Sequence, residues 1–179
     1  LADDLYDVGL TQIAHQGEGL VAVPVWQDPL VVALPARHQL LAYRQIPLEE
    51  IARHPLVLCE PQVCEGFWHQ LQPVLKPIES QLIVAERVPT LDLMMALVAA
   101  GYGLGFSSLA RIAELNNPDV VTRPLEGDTT MLTTYLVRRE VEPSEQLLRF
   151  IDRVMHVSHD VAVPNVSDLV PAQVQEIRS

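Results

Sequence analysis

The stretch from Glu86 to Ser108 constrains the fold more than any other part of the chain. It reads ERVPTLDLMMALVAAGYGLGFSS. Thr90 can cap a helix, because its hydroxyl can accept a hydrogen bond from a first-turn N–H, and Asp92 suits the positive end of the helix dipole. Residues 91–100 are almost entirely apolar, which predicts a helix that is buried on all sides. Gly101 can then end this helix in the left-handed conformation.

Strands are predicted on both sides of this helix, over residues 80–85 and 104–107. The ends of the three elements carry polar side chains, and these are Glu86, Thr90, Ser107 and Ser108. In α/β proteins ligands bind where strands end and helices begin. The stretch therefore predicts one wall of a binding site.

The rest of the chain alternates between β-rich and helical patterns. Two β-rich runs, 20–25 and 30–34, are separated by the segment from Trp26 to Pro29, and prolines punctuate them. Further strands are predicted over 5–10, 55–59, 120–125 and 131–137, and helices over 47–53, 65–76, 109–115 and 143–155. Pro73 is expected to kink the second of these helices or to end it early. The alternation predicts an α/β fold with mostly parallel sheets.

Length and charge exclude several classes of function. The 179 residues are enough for one medium domain or two small lobes. The longest apolar run is far short of a membrane span, and the first residues show no basic segment followed by an apolar stretch, so we do not expect a secretory signal. Twelve basic and 23 acidic residues give a net charge of −11. Because DNA binding needs clustered cations, we do not expect this polypeptide alone to bind nucleic acid.

Five segments, taken in order, carry a resemblance to a known family. They are DVGL at 7–10, DPLVVALPARHQL at 28–40, IPLEEIARHPLV at 46–57, LVAAGYGLGF at 97–106, and YLVRR at 135–139 with SEQLLRFIDRV at 144–154. Together they resemble the effector-binding domain of LysR-type transcriptional regulators. The resemblance covers roughly residues 5–155.

The resemblance implies a fold and a domain organisation. The fold is α/β, with two Rossmann-like lobes joined by crossing strands, as in periplasmic binding proteins of type 2. Residues 1–28 and 131–156 would form lobe I, residues 29–130 lobe II, and residues 157–179 a tail that is either draped or disordered. Lobe I is expected to be incomplete, since the family's first strand and helices and its N-terminal helix-turn-helix are absent.

The resemblance also implies a function. A small-molecule effector would bind in the cleft between the lobes, and the domain would self-associate as a dimer or tetramer. DNA would be bound only through a domain absent from this chain. No cofactor, no enzymatic activity and no membrane association are expected, and the location is expected to be cytoplasmic. The alternatives are a solute-binding protein or receptor of the same fold, an enzyme on that fold, and a truncated family fragment without a DNA-binding role.

Seven residues are predicted to bind the effector. They lie at strand ends and helix starts, and they are Thr11, Gln12, Glu60, Pro61, Gln62, Thr90 and Ser107. The loop at residues 60–62 follows a strand and precedes a helix, and a helix N-terminus attracts anions. Six of the seven have a plainer alternative: a surface loop at residues 11–12, an ordinary strand–helix loop at residues 60–62, and capping alone for Thr90.

Other reactive residues receive structural interpretations. Cys59 and Cys64 are interpreted as ordinary thiols, with a redox switch as the alternative. His156 and His159 lack a third metal ligand and are interpreted as solvated. The glycines from Gly101 to Gly105 follow a helix, whereas a dinucleotide-binding loop must open one. No catalytic set and no metal site are predicted.

Overall fold

The computed structural model describes residues 7–14 and 17–160, which form seven strands and five α-helices. The strands are β1 (Val8–Thr11), β2 (Leu20–Pro35), β3 (Pro55–Cys59), β4 (Ile83–Val88), β5 (Gly105–Ser108), β6 (Val120–Pro124) and β7 (Met131–Arg139). The helices are α1 (Leu48–Ile51), α2 (Glu65–Leu75), α3 (Leu91–Ala99), α4 (Leu109–Leu115) and α5 (Glu145–Asp160).

Strand β2 is the longest strand of the fold, with 16 residues, and it changes partners along its length. Residues 20–29 pair antiparallel with β7, and β1 pairs with the other edge of β7. Residues 30–35 pair instead with β5 and β6, also antiparallel. The change falls between Pro29, which faces Met131, and Leu30, which faces Ser108. One strand therefore runs through two neighbouring sheet regions.

The prediction of two separate β-rich runs before residue 35 was wrong. The segment from Trp26 to Pro29 pairs with β7 and belongs to the same strand. Pro24 lies beside an irregularity in the register, and Pro29 lies where β2 changes partners. A proline is tolerated in a strand at such points, because little ladder hydrogen bonding is lost there.

The prediction of mostly parallel sheets was also wrong. Strand β2 is antiparallel to β5, β6 and β7, whereas β3 and β4 pair in parallel. Helix α3 connects β4 to β5, but β5 pairs with β2 rather than with β4. A connecting helix sets strand direction only when the two strands become neighbours in the sheet, so the alternation of elements could not decide the direction here.

The core has two layers, one on each face of the second half of β2. Leu30, Val32 and Leu34 face a cluster that includes residues of α1 and α2. Val31 and Ala33 face a second cluster that includes residues of α3 and α4. Because successive side chains of a strand point to opposite faces, a continuous apolar run covered on both sides is the expected pattern of a Rossmann-like layer.

Helix α3 begins and ends as predicted but is not buried on all sides. The Thr90 hydroxyl accepts a hydrogen bond from the N–H of Leu93 at 3.3 Å, and Gly101 has a φ of 81°. Met94 and Val98 are buried, whereas Leu93 is 44% exposed. The helix contacts β2, β3 and β5 with one face, so the opposite face stays open in this chain despite its apolar residues.

Gly103 allows two backbones to approach each other closely. The N–H of Leu104 donates to the carbonyl of Pro55 at 2.8 Å, and the N–H of Val57 donates to the carbonyl of Leu104 at 2.8 Å. A Cβ atom at Gly103 would lie 2.5 Å from the Pro55 carbonyl oxygen. The glycine therefore lets the segment that leads into β5 join the edge of β3.

Several predicted boundaries shift in the structure. Pro73 lies inside α2 and does not end it, and a 3-10 helix follows at Lys76–Gln81, so β4 begins at Ile83 and not at Ser80. Helix α5 continues past Met155 to Asp160. The predicted tail was 157–179, but residues 157–160 belong to α5, and residues 161–179 lie outside the described residues. Across residues 7–14 and 17–160, no helix is long and apolar enough to cross a membrane.

Candidate functional site: a cleft beside the partner change of β2

A cleft of about 610 Å³ lies between the ends of β1 and β7 on one side and the ends of β3 and β5 on the other. The starts of α2, α3 and α4 also contribute to it. Its lining consists of Leu10, Thr11, Gln12, Cys59, Val63, Cys64, Gly66, Phe67, Pro89, Thr90, Leu91, Asp92, Phe106, Ser107, Ser108, Arg111, Leu132 and Thr134. A cleft of this size is typical of sites for small molecules.

Four of the seven predicted effector-binding residues line this cleft. They are Thr11, Gln12, Thr90 and Ser107. The other three, at residues 60–62, are not among the lining residues, and the residues on either side of them, Cys59 and Val63, are. The structure thus brings the two residues that flank the predicted loop to the cleft, but not the loop itself.

The turn after β3 explains why residues 60–62 lie to one side. The carbonyl of Glu60 accepts hydrogen bonds from the N–H groups of Val63 and Cys64, both at 3.0 Å. The N–H of Glu60 donates to the carbonyl of Val88 at 2.9 Å, which ties the turn to the end of β4. This tight turn carries Val63 and Cys64 back to the cleft at the start of α2.

Thr90 serves the start of α3 and the cleft together. Its hydroxyl caps the helix through the N–H of Leu93, and the same residue lines the cleft beside Pro89 and Asp92. Capping alone therefore does not describe its position. Asp92 lies in the first turn of the helix, where the dipole favours a negative charge.

Ser107 and Ser108 are the buried polar residues of the cleft, each about 5% exposed. The hydroxyl of Ser108 accepts a hydrogen bond from the N–H of Arg111 at 3.4 Å and so caps α4. Every fully buried side-chain nitrogen or oxygen in the described residues has a partner. Ser108 was not among the predicted effector-binding residues, although its place at a strand end before a helix was recognised.

Arg111 is a cleft residue that the sequence reasoning missed. It lies in the first turn of α4, and its side chain makes no hydrogen bond or ion pair with any residue that the structure describes. A cation is disfavoured at a helix N-terminus, so an arginine in the first turn of a predicted helix was the sequence feature that could have identified this residue. Arg111 is an exposed residue, and its positive charge opposes the rise in the pKa of the Cys59 thiol.

The two cysteines lie together in the cleft. Burial raises the pKa of the Cys59 thiol to about 12, with a further contribution from its hydrogen bond with Cys64 and an opposing one from Arg111. Cys59 is 7% exposed, and Cys64 stands at the start of α2. Since the thiolate is the reactive form of cysteine, burial makes Cys59 inert at neutral pH.

Gln70 of α2 bonds to the segments that carry Gln12 and Thr133, and this link was also missed. Its amide nitrogen donates to the carbonyls of Gln12 at 2.6 Å and Thr133 at 2.8 Å, and its amide oxygen accepts from the N–H of Thr133 at 2.7 Å. These bonds join α2 to both β7 and the end of β1. A single glutamine in a helical pattern carries no signal of such a role, because the partners lie about 60 residues away along the chain.

The site offers binding groups of mixed character. Hydroxyls, one cation, one carboxylate and several apolar side chains surround the same volume. Within residues 7–14 and 17–160, no group of three or more His, Cys, Asp or Glu residues is placed to hold a metal ion. His156 lies on α5, where its ring contacts the carbonyl of Asp152 at 2.8 Å.

The comparisons with known proteins all point to one family. A family model described as the LysR substrate binding domain matches residues 1–158. The HTH-type transcriptional regulator XapR of Escherichia coli (strain K12) is 26% identical over 121 residues, which are 67% of this chain and 40% of XapR. The chain thus spans less than half the length of this curated relative, which is a transcriptional regulator.

Solved structures share the fold. The effector-binding domain of QuiR in complex with shikimate has a TM-score of 0.74 at 17% identity, covering 89% of this chain and 75% of that one. The CcmR regulatory domain of Synechocystis PCC6803 in complex with 2-PG has a TM-score of 0.74 at 16% identity, covering 89% and 77%. The expected periplasmic-binding-protein-like α/β fold of type 2 is thereby confirmed. This chain belongs to the LysR substrate-binding domain family.

Proposed function

We propose that this chain is the effector-binding regulatory domain of a LysR-type transcriptional regulator and that its cleft binds a small metabolite. The observation that carries this proposal is the position of the cleft beside the point where β2 changes partners. Residues from both sheet regions line it, including Thr11 and Thr134 on one side and Thr90 and Ser107 on the other. A ligand there contacts both halves at once.

The partner change of β2 supports a division into two lobes. We propose the boundaries that the family resemblance implies, with residues 1–28 and 131–156 in lobe I and residues 29–130 in lobe II. The N–H of Leu30 donates to the carbonyl of Thr130 at 2.8 Å, so the two connecting segments are adjacent at the boundary. A ligand that binds one closure state better than another shifts the population toward it.

Related proteins support the ligand-binding role. QuiR carries shikimate and CcmR carries 2-PG in domains of the same fold. In this chain we assign effector contact to Thr11, Gln12, Thr90 and Ser107, whose position in the cleft supports the assignment. The loop at Glu60, Pro61 and Gln62 would reach the effector only if the cleft closed further. The role is one of binding, without a chemical step.

The partners follow from the regulatory role. We propose that a longer protein carries a separate DNA-binding domain, because XapR is an HTH-type regulator and this chain covers 40% of it. We also propose self-association as a dimer or tetramer, which the exposed apolar side chains of Leu93, Leu148 and Phe150 support. A regulator must reach DNA, so the proposed location is the cytoplasm.

A thermal-shift screen tests the proposal. Aromatic acids, dicarboxylates and amino acids are added in turn, and at roughly 100 times its dissociation constant a ligand adds about 2.7 kcal/mol to the free energy of unfolding. We expect at least one compound to stabilise the wild type. Thr11→Trp, which fills the cleft, should abolish that response, whereas Thr129→Trp in an exposed segment should keep it.

A flat response of the folded wild type to every class of compound would refute a sensor role. If the ligand stabilised Thr11→Trp as much as it stabilises Thr129→Trp and the wild type, the ligand would bind outside the cleft. Far-UV circular dichroism of each variant shows that it is folded before the comparison is made.

A further inference from the structure

We propose that the effector is a small monocarboxylate with an apolar body and that Arg111 is the residue that binds its carboxylate. This inference rests on the proposed function of the cleft and adds the chemical class of the ligand. Arg111 lines the cleft, as do Ser107, Phe67 and Phe106. The side chain of Arg111 is exposed and supplies the positive charge of the cleft.

Arg111 is an exposed residue that lines the cleft. It lies in the first turn of α4, where the helix dipole opposes a cation. Asp28 accepts a hydrogen bond from the N–H of Ala110 at 3.2 Å at the same helix start, but no ion pair joins Asp28 to Arg111. In the described part of the chain, the Arg111 side chain has neither a hydrogen bond nor an ion pair. Arginine binds carboxylates through two parallel hydrogen bonds, so this exposed guanidinium is available to pair with an anion in the cleft.

Ser107 provides a second, independent observation. It is 5% exposed and lines the cleft, and its hydroxyl makes no hydrogen bond to another described residue. No fully buried side-chain oxygen in the described residues lacks a partner, so this hydroxyl must reach the open volume of the cleft. A hydroxyl that opens on the cleft can donate a hydrogen bond to a ligand oxygen, and Ser107 lies four residues from Arg111 in the chain.

The other charge in the cleft limits the ligand to one negative charge. Asp92 lines the cleft and forms no ion pair with any described residue, Arg111 included. Its charge is accounted for by its place in the first turn of α3. Asp92 is exposed at the same cleft, and a second carboxylate on the ligand would be repelled by it where the two come close. One cation and one carboxylate therefore favour a monoanion over a dianion.

The remaining lining favours an apolar ligand body. Several hydrophobic side chains from both sides face the same volume, and these are Leu10, Val63, Phe67, Leu91, Phe106 and Leu132. Leu10 and Val63 are exposed and Phe67 and Leu91 are half-buried, so these four side chains can contact a ligand, whereas Phe106 and Leu132 are buried. Aromatic and aliphatic walls with a few placed polar groups are typical of sites for small organic molecules.

Matched ligand pairs test the proposed class. Benzoate, phenylacetate and 3-phenylpropionate are titrated by calorimetry against the folded chain, each beside its neutral carboxamide and beside the dicarboxylate phthalate. We expect at least one monocarboxylate to bind at least roughly tenfold more tightly than its carboxamide, the discrimination expected for a charge-assisted hydrogen bond. Phthalate should bind more weakly than that monocarboxylate.

Arginine variants test the assigned residue. Arg111→Gln should lower the affinity for the carboxylate by roughly tenfold to a hundredfold, as expected for loss of a hydrogen bond to a charged group, and should leave the carboxamide unaffected. Arg44→Gln is the matched control, because Arg44 is an exposed arginine outside the cleft. It should behave as the wild type does with both ligands.

The outcomes separate this inference from the proposed function. Equal affinity for acid and amide, or an unchanged preference in Arg111→Gln, would overturn the carboxylate assignment and leave the cleft as an effector site. Failure of all three monocarboxylates to bind would overturn it as well. Failure of neutral, anionic and zwitterionic compounds alike would remove the effector site itself.

Discussion

Gln70 and Thr133 exchange two hydrogen bonds, since the amide of Gln70 donates to the carbonyl of Thr133 at 2.8 Å and accepts from its N–H at 2.7 Å. The same amide nitrogen donates to the carbonyl of Gln12. One side chain of α2 thereby satisfies backbone groups of β7 and of the segment after β1. It acts as a tie between the parts of the chain that form the two sides of the cleft.

Removal of this tie should destabilise the fold. We expect Gln70→Ala to lower the free energy of unfolding by about 1.5–4.5 kcal/mol, because its three hydrogen bonds each contribute roughly 0.5–1.5 kcal/mol. Urea denaturation measures the change. Gln72→Ala on the same helix is the control, since Gln72 is exposed and should tolerate the change. Equal stability of the two variants would contradict the role of Gln70.

Gly103 should not accept a side chain. A Cβ atom there would lie 2.5 Å from the Pro55 carbonyl oxygen, and a backbone oxygen cannot move aside as a flexible side chain can. We expect Gly103→Ala to cost about 2 kcal/mol or more, as measured by thermal unfolding. At Gly17 the nearest atom, Leu20 Cδ1, is 3.6 Å away, so Gly17→Ala should be nearly neutral. A stable Gly103→Ala variant would show that β3 and β5 can separate without cost.

His38 should make stability fall on acidification. Burial, and then the charge of His54, lower the pKa of His38 below its usual 6.5. The unfolded chain therefore takes up a proton first, and stability present above pH 6.5 is lost as the pH falls through the lowered pKa. Protonation also removes the acceptor for the N–H of Leu40, which now donates to Nδ1 at 3.2 Å.

The asparagine variant isolates this effect. Asparagine caps helices well and does not titrate in this range, so His38→Asn should lose less stability than the wild type between about pH 7.5 and pH 5.5. Urea titrations at each pH provide the measurement. Parallel losses in the two proteins would assign the pH dependence to other groups.

The two cysteines should differ in reactivity. Because burial raises the pKa of Cys59 to about 12, little thiolate forms there at neutral pH. We expect iodoacetamide to modify the native protein at Cys64, as read by mass spectrometry of peptides. The native Cys64→Ser variant should stay unmodified over the same time. It should be labelled, at Cys59, only after denaturation. Rapid labelling of native Cys64→Ser would mean that Cys59 is more accessible than the structure shows.

Local patterns predicted individual elements well, and long-range pairing limited the rest. The cap at Thr90 and the left-handed Gly101 follow from residues only a few positions apart. The direction of β5 and the exposed face of α3 depend on which strands become neighbours, which no local pattern encodes. In the same way, Thr90 and Ser107 were predicted from strand and helix ends, whereas Gln70 was missed because its partners are distant in sequence.

The central claim is that a small molecule binds in the cleft beside the partner change of β2. The most direct measurement is a titration of the ¹⁵N-labelled protein, by two-dimensional NMR, with the compound that gives the largest thermal shift. We expect the largest amide shifts at residues 10–12, 59–67, 89–92 and 105–111, which supply most of the cleft lining. Saturating shifts confined to residues outside these segments, with none in the cleft, would contradict the account.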